Sequence, residues 1–404
     1  MAIIRGNAIV GQSGGPTAAI NATLAGVIRG AARLGVPKLY GMENGISGLI
    51  DNRLVSLNHL FGAEEMLSVL ELTPAAALGS CRFRLSDDFS DPVYERVFAQ
   101  LEKYDIGYFF YIGGNDSMDT VAKLHRYAEE KGYPVSIIGI PKTIDNDLAF
   151  TDHAPGYGSC AKYVATVAYE LARDVCVYNA PSVTILEVMG REAGWIGCAA
   201  GLSQHYFGCG CDLVYLPEGG FSAENFLHDI EACLGKKKTI LACVSEGVNV
   251  GADGCLVDAF GHKQLEGIGD ILSARVKNEL GIKSRAVVLS LTQRCAAHLV
   301  SRTDIEESVR IGMSAVEHAV GGESGKMVAF LRKNGAYGVD IITVDASMVA
   351  NRVKRVPGSF INEAGNFVTD KCIEYVSPLV MGEKNIEYVR GLPKHIDLRR
   401  GGCV

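Results

Sequence analysis

A lysine, a threonine and two aspartates fall within six positions of the stretch GIPKTIDNDL (139–148): Lys142, Thr143, Asp145 and Asp147. The stretch follows the apolar run VSII at 135–138, so the chain leaves a buried strand and at once presents one cation and two anions. A turn needs residues that tolerate tight backbone geometry, and it has no need of opposed charges at this density. Three other glycine-rich loops follow apolar runs: GQSGGPT (11–17), GGNDS (113–117) and MGREAG (189–194). Glycine lets the backbone approach a ligand, and the free N–H groups of a helix start attract phosphate. One such loop alone is ordinarily just a turn. Here, however, Lys142 and Arg191 supply positive charge while Asp116, Asp145 and Asp147 supply carboxylates. Cations on a transferring phosphoryl group, with carboxylates beside them, are what magnesium-assisted phosphoryl transfer requires.

Such loops have to be held by rigid elements. Strand candidates are NAIVG (7–11), IGYFFYIGG (106–114), VSIIGI (135–140), SVTILEV (182–188), DLVYLP (212–217), TILACVSEG (239–247) and AVVLSL (286–291). Most are apolar throughout, which is the pattern of strands covered on both faces. Helical periodicity lies between them: Ile20, Leu24, Val27, Ile28 and Ala31 share one face, and similar patterns run over 118–131, 160–173 and 223–234. The alternation predicts an α/β protein with mainly parallel sheets, and 404 residues suit two Rossmann-like three-layer α/β/α domains better than one. Ligands of open α/β sheets sit at the carboxyl ends of strands, where all four loops fall. From Asn351 onward the pattern changes to isolated strand-like pieces such as EYVSPLV (374–380) and a basic end, KHIDLRR (394–400), read as a tail packing back on the core.

Composition excludes several classes. A net charge of -7 gives no long-range attraction to nucleic acid or to an anionic membrane, and no run of 18 apolar residues offers a transmembrane helix. The 12 cysteines form no CxxC pair and suit reduced thiols in a cytoplasmic protein. His205, Cys209 and Cys211 (HYFGCGC), or Cys295 with His298, are conceivable metal ligands, but a glycine-rich turn with packed thiols is the simpler account because paired zinc spacings are missing.

SGGPTAAINA, GGNDS, PKTIDND and EVMGREAG, in this order over about residues 5 to 345, resemble the phosphofructokinases, and most strongly their pyrophosphate-dependent branch. The resemblance implies the phosphofructokinase fold and reversible transfer of a phosphoryl group from pyrophosphate to the 1-hydroxyl of fructose 6-phosphate, with Mg2+ as cofactor. It makes Asp145 the base toward the sugar hydroxyl and Asp147 the second carboxylate, with Thr143 on a transferring phosphate oxygen. Met189, Gly190 and Arg191 match the sugar-binding segment, with Arg191 a charge clamp, and Glu246 matches the carboxylate that accepts sugar hydroxyls. Arg285 and Arg294 match a grip on the sugar 6-phosphate. Gly14, Arg82, Gly114, Asp116, Ser117 and Lys142 fall to the pyrophosphate, and Asn115 with Asp116 to the metal. By composition alone Arg82, Arg285 and Arg294 would pass as surface residues.

The same resemblance divides the chain into a donor domain, 1–158 with about 294–345, and a sugar-phosphate domain, 159–293, onto which 346–404 packs back. It also implies a homodimer or homotetramer, because the family completes its 6-phosphate site across a subunit interface. ATP-dependent members have glycine where Asp116 and Lys142 stand. An aspartate there fills the space of the nucleotide α-phosphate, and the lysine offers a counter-charge to the departing phosphate. Three positions depart from the pattern: Asn115 replaces an aspartate, Ser182 an arginine and Leu291 a histidine, so a seven-carbon sugar phosphate remains open as acceptor. An ATP-dependent enzyme and a catalytically silent phosphosugar-binding subunit are the alternatives; the charged residues of PKTIDND and Arg191 argue against the second.

Overall fold

A computed structural model describes residues 6–250, 256–257, 263–264, 267–398 and 402–403. Arg399 and Arg400 of the basic end lie outside the described residues. Two large sheets organise the chain. Their strands, in chain order, are β1 (Asn7–Gln12), β2 (Leu39–Met42), β3 (Leu54–Ser56), β4 (Ile106–Gly113), β5 (Ser136–Pro141), β6 (Ser182–Val188), β7 (Leu213–Tyr215), β8 (Thr239–Ser245), β9 (Lys283–Val288), β10 (Lys326–Arg332) and β11 (Val339–Asp345). The first sheet has the order β11-β10-β5-β4-β1-β2-β3 and the second β9-β6-β8-β7. The second is parallel throughout. The first is parallel from β2 to β10 and antiparallel only at its two edges. Every residue of β4 and of β5 is buried, as continuous apolar runs demand.

The helices that matter for the layers are α1 (Ile20–Arg33), α2 (Pro92–Lys103), α3 (Asn115–Lys131), α4 (Tyr157–Val175), α5 (Ala223–Leu234), α6 (Ile268–Leu280), α7 (Arg302–Val320) and α8 (Asp370–Val376). Successive strand residues point to opposite faces, and the cores follow that alternation. Val10, Phe110 and Ile138 pack with Leu24 and Val27 of α1 and Ile311 and Ala315 of α7. Ile9, Phe109 and Ile137 pack instead with Phe98 of α2 and Leu124 of α3. In the second sheet Leu186 and Cys243 meet Val164 and Ala168 of α4, whereas Ile185 and Ala242 meet Phe226 of α5 and Leu272 of α6. Each sheet is thus covered on both faces.

Sequence periodicity did not reveal β10 and β11, which return the chain to the first sheet after the second is complete. β11 is an edge strand with intermediate burial along most of its length, so its apolar signal is weak. The expectation of strand-like pieces at 374–380 is corrected: EYV ends helix α8 and Ser377–Val380 forms a 3-10 turn. Three residues of a short helix buried on one side are too few for periodicity to separate from a strand. The C-terminal extension also does not rest on one half alone. Val368, Cys372, Ile373 and Val376 enter the core of the second sheet, but Ile396 enters that of the first, and its amide donates to Thr73 Oγ1 at 3.0 Å. Among the described residues ten cysteines, from Cys81 to Cys372, are free, no cluster of His, Cys, Asp and Glu could hold a metal, and no helix is long and apolar enough to cross a membrane.

Helices α1 and α7 touch backbone to backbone. A Cβ on Gly26 would lie 2.1 Å from the carbonyl oxygen of Val309, and one on Gly312 would lie 2.2 Å from that of Thr23. Neither oxygen can move without moving its helix, so Gly312→Ala should destabilise the protein by about 1–3 kcal/mol through overpacking. The shift of the urea unfolding midpoint measures this; an unchanged midpoint would mean the helices separate freely.

Candidate active site

The loops after β1, β4 and β5 of the first sheet and after β6 and β8 of the second come together. The loop after β5 is the joint between them. Its burial alternates: Ile144, Asn146 and Leu148 are 5%, 0% and 0% exposed, while Thr143, Asp145 and Asp147 are half-buried. Ile144 belongs to the core of the second sheet, so a loop that leaves the first sheet is anchored in the other half. Lys142 is 3% exposed, its amide donates to Gly113 O at 3.0 Å, and its Nζ donates to Gly15 O at 2.7 Å. Gly14 sits directly above, with φ of 77°, and a Cβ there would lie 3.2 Å from Lys142 Nζ.

A small pocket of about 290 Å³ opens beside this lysine, lined by Gly14, Gly15, Pro16, Ser80, Cys81, Arg82 and Arg294. Ser80 Oγ donates to Gly14 O at 2.6 Å and ties the loop after β1 to the 80–82 segment. Arg82 and Arg294 both bear on Lys142 electrostatically, which makes this side of the cleft strongly positive. Arg294 therefore lines the same pocket as Arg82 and Gly14, and Arg285, its expected companion, does not. Arg285 is exposed on the edge strand β9, before the carboxyl end where the loops meet.

Helix α3 begins at the loop after β4, with Gly114 as its extended N-cap. Asp116 in its first turn forms an ion pair with Arg84 at 2.8 Å. Arg84 was not singled out from the sequence; its signal was the Arg-Phe-Arg spacing after Cys81, which can place two guanidinium groups on one side of an extended loop. Asn115 turns its amide to the carbonyls of Val349 and Arg352, which only its NH2 can satisfy, at 3.1 and 3.2 Å. Ser117 is 3% exposed and its hydroxyl lies 2.5 Å from Ser13 Oγ. Ser117 is thus committed beneath the loop, where it fixes the β1 loop against α3, and does not face the pocket as expected.

On the other side, Gly190 has φ of 123°, and its carbonyl accepts from Ser245 Oγ at 2.8 Å. The amide of Glu246 donates to Val188 O at 2.8 Å, and that of Met189 to Gln293 Oε1 at 3.2 Å. A Cβ on Gly247 would lie 2.1 Å from Arg191 O, so the two loops touch backbone to backbone. Arg191 Nε stands 3.9 Å from Glu246 Oε1. Ser182 opens β6 and Leu291 is 55% exposed, and neither brings a charge.

Burial dominates the ionisation of the cleft. It pushes Lys142 down to about 8, although Asp145 and Asp147 pull the other way. A drop from 10.5 favours the neutral amine by roughly 3 kcal/mol, yet leaves the ammonium as the main form at pH 7. Burial, with Asp145 beside it, pushes Asp147 up to about 7. Burial and Glu246 raise Asp145, and burial raises Glu246. A raised carboxylate next to a buried cation is poised to accept a proton near neutrality.

The phosphofructokinase family model matches residues 7–319. A pyrophosphate--fructose 6-phosphate 1-phosphotransferase of Halomonas elongata is 40% identical over 399 residues, covering 96% of this chain and 95% of the relative. The chain belongs to the phosphofructokinase family. The relative of the same name from Xanthomonas campestris is 39% identical over 405 residues, with 98% and 96% covered. The crystal structure of a pyrophosphate-dependent phosphofructokinase from Nitrosospira multiformis matches with a TM-score of 0.89 at 37% identity, covering 97% of this chain and 96% of that one. The two-sheet α/β architecture is therefore the phosphofructokinase fold.

Proposed function

We propose that this phosphofructokinase transfers a phosphoryl group reversibly between pyrophosphate and the 1-hydroxyl of fructose 6-phosphate. The observation that carries this is Lys142, a buried ammonium between the Asp145–Asp147 pair and the pocket of Gly14, Arg82 and Arg294. A donor without a nucleoside has to be bound through its phosphates alone, and this pocket is lined by two cations, Arg82 and Arg294, with Lys142 buried beside it. The Asp116–Arg84 ion pair lies at the start of α3, where an ATP-dependent member has glycine; a paired carboxylate is stable there and still obstructs an α-phosphate.

Asp145 takes the proton of the attacking sugar hydroxyl, and Thr143 holds a transferring oxygen. Arg191 clamps the charge that develops, and Lys142 stabilises the departing phosphate. Asp147 stands beside the base, and Met189, Gly190 and Glu246 receive the sugar. The donor-side amides of Gly14 and Gly114 receive the pyrophosphate with Arg82 and Arg294, while Ser117 supports their loop from below. A magnesium ion fits this site when its oxygens come mostly from the pyrophosphate, with Asp116 as the nearby protein carboxylate; the Asn115 amide nitrogen is held by backbone. Bound there, the ion neutralises charge on the transferring group. The donor half comprises 1–158 with 294–345 and the sugar half 159–293, in a cytoplasmic homodimer or homotetramer. Exposed Arg285 then serves the 6-phosphate pocket of a neighbouring subunit.

Three measurements test this. Initial rates with fructose 6-phosphate and magnesium should be high with pyrophosphate and near background with ATP; a preference for ATP defeats the donor assignment, and tight sugar-phosphate binding without turnover would identify a silent subunit. Asp145→Asn should lower kcat by about 10²–10⁴-fold with sugar-phosphate affinity nearly intact, as for loss of a general base; retention of most of the rate would remove Asp145 from that role. Turnover should also follow pH as a bell. Activity rises as Asp147 loses its proton through about 7 and Asp145, raised by burial and Glu246, loses its own, and falls as Lys142 loses its charge above about 8. A flat profile from pH 6 to 9 would contradict both assignments.

A further inference from the structure

The family match ends at residue 319, yet the side chains behind the Asp145–Asp147 turn come from beyond it. Asn146 is completely buried with φ of 53°. A non-glycine residue keeps this left-handed conformation only where its surroundings fix it. Its Nδ2 donates to Tyr375 Oη at 2.9 Å, and its Oδ1 accepts from the Ala154 amide at 3.0 Å and from Lys354 Nζ at 3.4 Å. The amide of Lys354 donates to Asp147 O at 2.6 Å. Its Nζ also donates to Asp152 O at 2.7 Å and Thr151 O at 3.2 Å, and lies 5.0 Å above the Trp195 ring. Tyr375 Oη donates in turn to Asp152 O at 2.6 Å. A single ammonium and a single phenol thus close the far side of the catalytic turn. For this ammonium the main opposing charges are Asp152 and Asp147, with Arg332 as the competing cation.

We propose that Lys354 is a positioning residue of the catalytic turn: from the C-terminal segment it fixes Asn146 and supplies positive charge to Asp147, as Lys142 does from the donor side. This rests on the phosphoryl-transfer reading above. Asp147 otherwise faces Asp145 and Lys142 on its own loop and Glu192 after β6, while Asp145 faces Glu246 and Arg191. Without Lys354 the balance around the pair tips toward negative charge, and its carboxylates hold their protons to higher pH.

The test is the pH dependence of kcat in the full-length chain with magnesium pyrophosphate and fructose 6-phosphate. For Lys354→Met the acid limb should move up by about 0.5–1 pH unit, because one opposite charge is removed. At pH 7 kcat should fall by about tenfold or more, while KM for pyrophosphate stays within about twofold, since Lys354 lines no part of the donor pocket. Lys354→Arg should return the acid limb toward its wild-type position. A Met variant with an unmoved acid limb overturns the proposal, whatever happens to its melting temperature. If neither variant folds, Tyr375→Phe removes one oxygen from the same network. It should cost about three- to tenfold in kcat with an unchanged pyrophosphate KM, and an unchanged kcat overturns the proposal. A wild-type chain without pyrophosphate turnover would instead defeat the function itself, and this inference with it.

Discussion

The cleft depends on keeping Lys142 charged while it is buried. An ammonium taken out of water loses its hydration, and only opposite charge and hydrogen bonds restore it. Here Asp145 and Asp147 supply the charge and the Gly15 carbonyl one of the bonds. That arrangement imposes much of the surrounding architecture. The loop after β1 must pass close over the lysine, which requires glycine at position 14 with a positive φ. The loop after β4 must accept the Lys142 amide at Gly113 O. Ser13 and Ser117 must then lock those two loops together from beneath.

The same constraint explains why two sheets face one another. A single sheet could present Lys142 and the loops after β1 and β4, but not the carboxylate and guanidinium that oppose them. Arg191 and Glu246 come from the ends of β6 and β8 and reach Asp145 across the cleft. The PKTIDND loop belongs to both halves, since it starts in the first sheet and buries Ile144 in the core of the second. Relative movement of the halves would pull directly on Asp145 and Asp147. Helix α7 braces the joint: Asp304 accepts from the amides of Gly156 and Ser159 at 2.9 Å each, and Gly156 in turn pairs with Thr143 as an isolated bridge.

Charge is distributed unevenly across the cleft. One side collects Lys142, Arg82 and Arg294, whereas the other holds Asp145, Asp147 and Glu246, with Arg191 and Lys354 among their cations. A polyanion and a neutral polyol end would sort themselves in such a field without large differences in shape. The Asp116–Arg84 pair adds a local exception, a neutralised carboxylate on the positive side. Both of its members are more than half exposed, so the pair adds little stability.

Much of this was determined by sequence alone. The apolar runs fixed the central strands because residues covered on both faces must all be apolar, and β6 was legible to the residue. Three of the four loops were legible because their charged residues have no structural reason to follow buried strands, and GQSGGPT only through its glycines at a helix start. Other features needed the tertiary structure. The edge strand β11 is half exposed along most of its length, so its composition is ordinary, and β10 meets β5 over only two residue pairs although Met327 to Phe330 are buried. Arg294 lines one pocket with Arg82 and Gly14 and not with Arg285, since a linear motif carries no information about which loop it will face. Ser117 and Asn115 carry polar side chains whose partners, Ser13 and the 349–352 carbonyls, are distant in sequence. Lys354 and Tyr375 were invisible for the same reason: an isolated lysine and tyrosine in an irregular tail look solvated until the chain folds them behind the Asp145–Asp147 turn, where burial makes them partners of Asn146.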